Sequence, residues 1–444
     1  MHRVFLQCGP ETLHLDGTDP LYPLRGARLL PAAADPAEEF VREEVEYSLA
    51  GRPEVIEAAC EAVGRLAARA EEGWAGGAEP LYLVCQTWPG GGAWRSRVRR
   101  AWPEALPPGA ALRARGSQGA KLVLIRENGW EGPEQQAALS NGNGEGVLAP
   151  LPVLNANDGA GSAPNVRHNW VEIGAGVVGG DLPGRARVEI TNLGAEPLSD
   201  VWIGQNWADP ARFALIYEAE SAIGEAGSPD ASCSGGMQVT KTLPPGAEVD
   251  LLRWALPGEA LEAGRGQRVH AVARFAQPGW ETNTRLRLSL RRGGVDVWRS
   301  GWAQPRGERA MQIRDLFAFR LPDLPNPAEL ELVLSGAQAG AVERSLSLDF
   351  LALLPADGWR WLEFSGGGVE TGGQVVDDGP AGRAWVEDEA GRALLAAARG
   401  GAIALAPMRA QRLYFFSHTL WADYAPINQA LGVRVFFRNR RLGL

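Results

Sequence analysis

Short apolar runs separated by glycine and proline constrain this chain more than any other feature. Its 56 glycines and 31 prolines are spread through 444 residues as turn punctuation, so few stretches are long and unbroken enough for a helix. Runs of about four to eight alternating residues between such turn signals are the pattern of strands in sandwiches and barrels. A chain of this length exceeds what one hydrophobic core organises, and about three domains are expected. The 45% apolar and 22% charged residues belong to a folded chain, and the expected fold class is mainly β.

One segment breaks the pattern. Val55, Ile56, Ala59, Val63, Leu66, Ala67 and Ala70 recur at a 3.6-residue period, Pro53 suits a first helical position and Gly73 a C-terminal cap. These features predict a single helix over 53–72, flanking a sheet. Strands are predicted around it at His2–Leu6, Glu44–Leu49, Leu81–Thr87, Trp94–Trp102, Ala111–Arg115 and Lys121–Glu127. A turn at Trp130-Glu131-Gly132-Pro133 and the polar stretch 140–145 then close a first domain over 1–150.

From 165 to 356 the pattern is almost entirely strands, among them Val188–Thr191, Val201–Ile203, Leu215–Glu220, Val249–Trp254, Val269–Phe275, Arg285–Leu290, Leu330–Leu334 and Leu346–Leu353. Eight or so strands without a helix predict a two-sheet β-sandwich of the jelly-roll kind. Residues 357–444 form a C-terminal β segment, either a small domain or the completion of the first. No internal repeat appears.

The sequence offers little catalytic chemistry. Only five histidines occur, His2, His14, His168, His270 and His418, and none has metal-ligand spacing. His270 alternates with apolar neighbours and reads as a strand residue. Nucleophile-elbow, phosphate-loop and dinucleotide motifs are missing, so an enzyme is not expected. Cys8, Cys60, Cys85 and Cys233 lack paired spacing and read as buried thiols. The net charge of −9 argues against sequence-specific nucleic-acid binding, which needs clustered Lys and Arg. Lysine occurs only at Lys121 and Lys241, an arginine bias read as genomic or thermal. No leader pattern opens the sequence and no apolar run reaches about 18 residues, so membrane insertion is not expected.

Two features invite binding. Trp202, Trp207, Trp254, Trp280, Trp298 and Trp302 fall in the expected sandwich, where most indoles serve the core and an exposed one stacks on sugar. Acidic residues at Glu218-Ala219-Glu220 and Leu348-Asp349-Phe350 lie on its first and last strands, and an unpaired carboxylate there needs a partner or water.

Tyr217-Glu218-Ala219-Glu220, Cys233-Ser234-Gly235-Gly236 and Leu348-Asp349-Phe350-Leu351-Ala352-Leu353 resemble a carbohydrate-binding jelly roll of the family-six type, over roughly 213–355. The resemblance implies a structural Ca²⁺ held by Glu220 and Asp349 and places no sugar-binding residue. The first segment resembles siphophage and prophage tail proteins of the distal-tail or tail-tube type. That likeness lies in Trp94-Arg95-Ser96-Arg97-Val98, the run from Leu122 through Arg126 to Trp130-Glu131-Gly132, and Leu139-Ser140-Asn141. Arg412 to Phe416 and Val433 to Arg441 are similar to the closing strands of such proteins.

Together these resemblances imply a structural virion tail protein, made in the host cytoplasm. It would assemble with itself into a ring homo-oligomer, contact neighbouring tail proteins and carry an outward jelly roll that meets host-surface glycans. The alternative is a free carbohydrate-binding protein or adhesin.

Overall fold

The computed structural model describes residues 2–18, 21–22, 24–30, 38–75, 78–87, 92–104, 117–141, 144–146, 151–156, 170–195, 197–206, 215–230, 233, 236–256, 266–275, 284–303, 313–322, 330–364, 368–387, 393–416 and 428–443. The fold is mainly β, with antiparallel sheets and one long helix. The predicted strand Ala111–Arg115 and the indoles Trp207 and Trp280 lie outside the described residues. The chain divides into two compact units. One comprises Met1–Gln135, Val178–Gly184 and Phe437–Leu444, and the other Gln136–Val177 and Arg185–Phe436.

The first unit packs its helix, Pro53–Trp74, on antiparallel strands. Ala59, Ala62, Val63, Leu66, Ala67 and Ala70 are buried among Val4, Leu6, Val45, Leu49, Leu83, Val98 and Leu124. Val55, expected on the buried stripe, is 37% exposed, and the helix passes Gly73 to end with Ala75 as its C-cap. The strand Phe40–Ala50 alternates buried and open positions along 11 residues and pairs with Ser117–Glu127 over its whole length. Sequence at 130–132 is strand, not turn: Trp130–Gln136 is extended, and the chain turns at Asn128-Gly129, where Gly129 has a φ of +119° that favours glycine. Within this unit Arg126 forms a buried ion pair with Glu43, and its guanidinium lies 4.4 Å over the Trp130 ring.

The second unit contains the jelly roll. Its larger sheet runs Ser228–Pro229, Met237–Leu243, Arg344–Pro355, Arg268–Phe275, Ile313–Arg320, with Leu215–Glu218 also on Arg344–Pro355. Its smaller sheet runs Glu248–Leu256, Leu330–Gln338, Thr284–Arg292, Val295–Arg299. Leu252, Trp254, Leu286, Leu288, Leu332, Leu334, Val269, Phe275 and Leu351 fill the space between the two.

The strands before and after the jelly roll pair with one another. Trp170–Ile173 and Asp200–Asn206 flank Gln411–Phe416, and Asp200–Asn206 also pairs with Gly358–Glu363. Arg187–Asn192 lies between Gln374–Asp378 and Asn428–Arg441. Residues 170–206 therefore share sheets with 358–436, which differs from the expected grouping of 165–356 as one sandwich and 357–444 as a small domain or the completion of the first. Only from Phe437 onward does the last strand belong to the first unit. Local alternation marks a strand without naming its partner, and here the partners lie about two hundred residues apart.

The jelly roll is thus an insertion between two hydrogen-bonded strands. Gln205 pairs with Gly358, three positions after the jelly roll's last strand residue, Pro355. A Cβ at Gly204 would sit 2.1 Å from the Pro355 carbonyl oxygen, so the chain passes this point only with glycine there. The larger jelly-roll sheet presents Val272, Phe350, Ala352, Leu354 and Ala356 outward. Against them pack Trp202, Tyr414 and Phe416, with Trp170, Trp359 and Trp361 alongside.

Candidate functional site

Asp349 lies in Arg344–Pro355 at a break in register: Arg274 pairs with Phe350 while Phe275 pairs with Leu348, leaving Asp349 as the extra residue of a β-bulge. Its side chain is fully buried and forms an ion pair with the equally buried Arg274. Glu220 stands elsewhere in chemistry. It occupies the short 3₁₀ turn Ala219–Ser221, packed against Met237–Leu243 and Arg344–Pro355. Its Oε2 is buried without a hydrogen-bond donor, and burial lifts its carboxyl above the ordinary range, only partly offset by a backbone hydrogen bond.

A Ca²⁺ shared by Glu220 and Asp349 does not fit these surroundings. The Arg274 guanidinium already neutralises Asp349, and a cation brought to that carboxylate would meet another positive charge in a buried site. Among the described residues no three His, Cys, Asp or Glu gather as metal ligands. The sequence marked Asp349 as a buried carboxylate in need of a partner. Its actual partner sits 75 residues earlier, at a distance local reading does not span.

The sandwich tryptophans sort by environment. Trp202 is fully buried beside His270 and Phe416, with ring centroids 6.1 Å and 5.5 Å away. His270 is itself buried in its strand, 4.7 Å from the Trp359 ring. Trp254 is buried and its Nε1 donates to the Glu218 carbonyl oxygen at 2.7 Å. Trp298 stacks on Phe319 at 4.6 Å against the core. Trp302 differs: it is half-exposed, with the guanidinium carbons of Arg285 and Arg287 at 4.7 Å and 4.4 Å from its ring centroid. Three of the four cysteines are buried as expected, while Cys60 is exposed, and none is in a disulfide.

Trp302 belongs to the outer face of the smaller sheet. Leu286 and Ala303 exchange backbone hydrogen bonds, so residues beside Ala303 run next to the strand Thr284–Arg292. Leu286, Leu288 and Leu290 point into the core, so Arg285, Arg287, Ser289 and Arg291 line the opposite face. Carboxylates from neighbouring strands meet these arginines. Arg291 grips Asp250 through two nitrogens, one at 2.9 Å from Oδ1, and donates to Asp296 at 2.6 Å. Arg287 pairs with Glu248, Arg299 with Asp296, and Arg253 with Glu331 at 3.9 Å.

The hydrogen bond from Arg291 holds the Asp250 carboxyl below its usual range, with Ser335 at 3.0 Å adding to it. At Asp296 burial acts to raise the carboxyl, and hydrogen bonds from Arg291 and Arg299 outweigh it, leaving the group lowered. Arg285 stands apart from this lattice. It is exposed, and among the described residues its guanidinium lies against the Trp302 ring and meets no carboxylate. Two further polar atoms on the strand are buried without hydrogen-bond partners, the Arg287 Nε and the Ser289 Oγ.

No family model matches the chain, and no curated protein matches it. Among solved structures, the phage p2 baseplate in its activated conformation is similar over 80% of this chain and 99% of its own, at 8% identity and a TM-score of 0.23. An exo-β-1,3-galactanase from Phanerochaete chrysosporium is similar over 70% of this chain and 78% of its own, at 11% identity and a TM-score of 0.20. Infectious bursal disease virus, Gt strain, is similar over 69% and 75%, at 9% identity and a TM-score of 0.18. At scores this low none of the three defines the fold of this chain. No helix among the described residues is long and apolar enough to cross a membrane.

Proposed function

We propose that the chain is a structural component of a virion tail, with its first unit acting as a ring or tube subunit and its jelly roll as the part that reaches host-surface glycans. The mounting of the jelly roll carries this reading. It is inserted between hydrogen-bonded strands, its larger sheet is covered by an aromatic layer, and its smaller sheet keeps an outer face that bears Trp302 among arginines. A sandwich held on one side, with the exposed Arg285 and half-exposed Trp302 on the other, is suited to presenting a binding surface on a fixed scaffold.

The tail half of the reading is supported by the resemblance of the first segment to distal-tail and tail-tube proteins. Its Arg126 and Trp130, two residues of that resemblance, stack on each other inside the unit. Its partners would be further copies of itself in a closed ring and neighbouring tail proteins. No catalytic step and no metal belongs to this function.

Negative-stain imaging of the purified protein at high concentration tests the assembly. Closed rings are expected; particles that stay monomeric would remove the tail role and leave a free carbohydrate-binding protein or adhesin. Screening on a glycan array, with Trp302→Ala beside the parent, tests the other half.

A further inference from the structure

We propose that the open face of the jelly roll, at Arg285, Trp302 and Arg287, binds the uronic-acid units of an acidic surface polysaccharide. The inference rests on the reading of the jelly roll as a glycan-contacting module and names the class of glycan. Charge complementarity points to it. Among the described residues of this face, Arg253, Arg287, Arg291 and Arg299 are met by Glu331, Glu248, Asp250 and Asp296, and one cation remains, Arg285. Its exposed guanidinium rests on an indole and, among the described residues, meets no carboxylate.

The groups of this face differ in access. Arg287 is only 9% exposed and Ser289 1%, so both lie beneath the surface. The groups open to a ligand are the exposed Arg285 guanidinium and the half-exposed Trp302 indole. The indole holds Arg285 in place, which lowers the entropy lost when it grips a ligand.

The chemistry selects the occupant. A guanidinium offers a planar fork that matches the two oxygens of a carboxylate. A pyranose ring presents C–H groups to an indole. A uronic acid joins both on one unit: its carboxylate would bridge to Arg285 and its ring would lie against the exposed part of Trp302. A neutral sugar leaves Arg285 unused, and a bare anion leaves Trp302 unused.

Calorimetric titration of the full chain tests this with three acidic probes, oligogalacturonate, oligoalginate and oligohyaluronate, against a neutral galactose oligomer and inorganic phosphate. At least one acidic oligomer is expected to bind ten times more tightly than the neutral one and to weaken as salt rises. Arg285→Gln and Trp302→Ala should each cost tenfold or more, while Arg253→Gln, on the same face but paired with Glu331, should change affinity less than twofold. Melting temperatures of the variants, compared with the parent, show that each is folded.

Unchanged affinity in Arg285→Gln, equal affinity for inorganic phosphate, or no binding of any acidic oligomer would overturn the proposal. Tight binding of the neutral oligomer that ignores Arg285→Gln would remove this site and keep the glycan-contacting reading. Failure of every sugar would remove that reading as well, leaving ring formation to decide the tail role.

Discussion

The two sheets of the jelly roll grow from similar alternating strands and end with opposite outer faces. On the larger sheet, Val272, Phe350, Ala352 and Leu354 turn outward and are covered by Trp202, Tyr414 and Phe416. On the smaller sheet, Arg253, Arg285, Arg287 and Arg291 turn outward; Arg253, Arg287 and Arg291 pair with carboxylates, and all but Arg287 stay in reach of solvent. A face that will be covered gains by being apolar, while a face left open gains by carrying charges that water and counter-charges both satisfy. The comparison also separates two arginine environments. Arg274 is fully enclosed on the covered side and paired with Asp349, and Arg291 is half-buried on the other side, shared between Asp250 and Asp296.

Breaking the covered face should cost most. Trp202→Ala removes a fully buried indole and leaves a cavity, with an expected loss of about 3–5 kcal/mol in denaturant titrations followed by circular dichroism. Asp349→Ala removes the carboxylate that pairs with the fully buried Arg274 guanidinium, and a loss of about 3–5 kcal/mol is expected there too. The joint change Arg274→Met with Asp349→Leu should recover most of that, because an apolar pair removes both charges; if the double variant is as unstable as the single one, the ion pair is not what Asp349 contributes. Gly204→Ala forces a methyl group against the Pro355 carbonyl oxygen, and about 1–3 kcal/mol is expected from the strain.

The open face should respond weakly and in a pH-dependent way. The Asp250 carboxyl is held below its unfolded value of about 3.9, so its pairing adds stability at neutral pH that is lost as pH falls through the lower, folded value. With the Asp250 side chain 37% exposed, solvent screening keeps that share below about 1 kcal/mol. Asp250→Asn should therefore lower stability at neutral pH by less than about 1 kcal/mol, with the difference from the parent vanishing as pH falls through the folded value; parallel curves at every pH would show that the pairing contributes nothing. The smallest effect is expected for Arg253→Gln, within about 0.5 kcal/mol in thermal melts.

Local signals in the sequence carried far. The helix was legible because Ala59, Val63, Leu66, Ala67 and Ala70 share one face, and strands such as Leu81–Thr87 and Arg268–Phe275 were legible because their turns and alternation are local. Asp349 stood out as a carboxylate on an apolar strand. Trp302 could be named only as one of six sandwich indoles, since its distinction is to lie outside the core beside Arg285 and Arg287. A signal was present, arginines alternating with Leu286, Leu288 and Leu290, but it marks a charged face without saying which indole joins it.

The sequence by itself determined a mainly β chain with a single long helix, because periodicity and turn chemistry act within a few residues. Only the tertiary structure decided which strands meet. Asp200–Asn206 pairs with Gly358–Glu363 across the whole jelly roll, and Arg274 rather than a cation answers Asp349. It also decided which sheet face is covered and which stays open. These outcomes depend on contacts between distant segments, whose cost in chain entropy and gain in burial are settled only when the whole molecule packs.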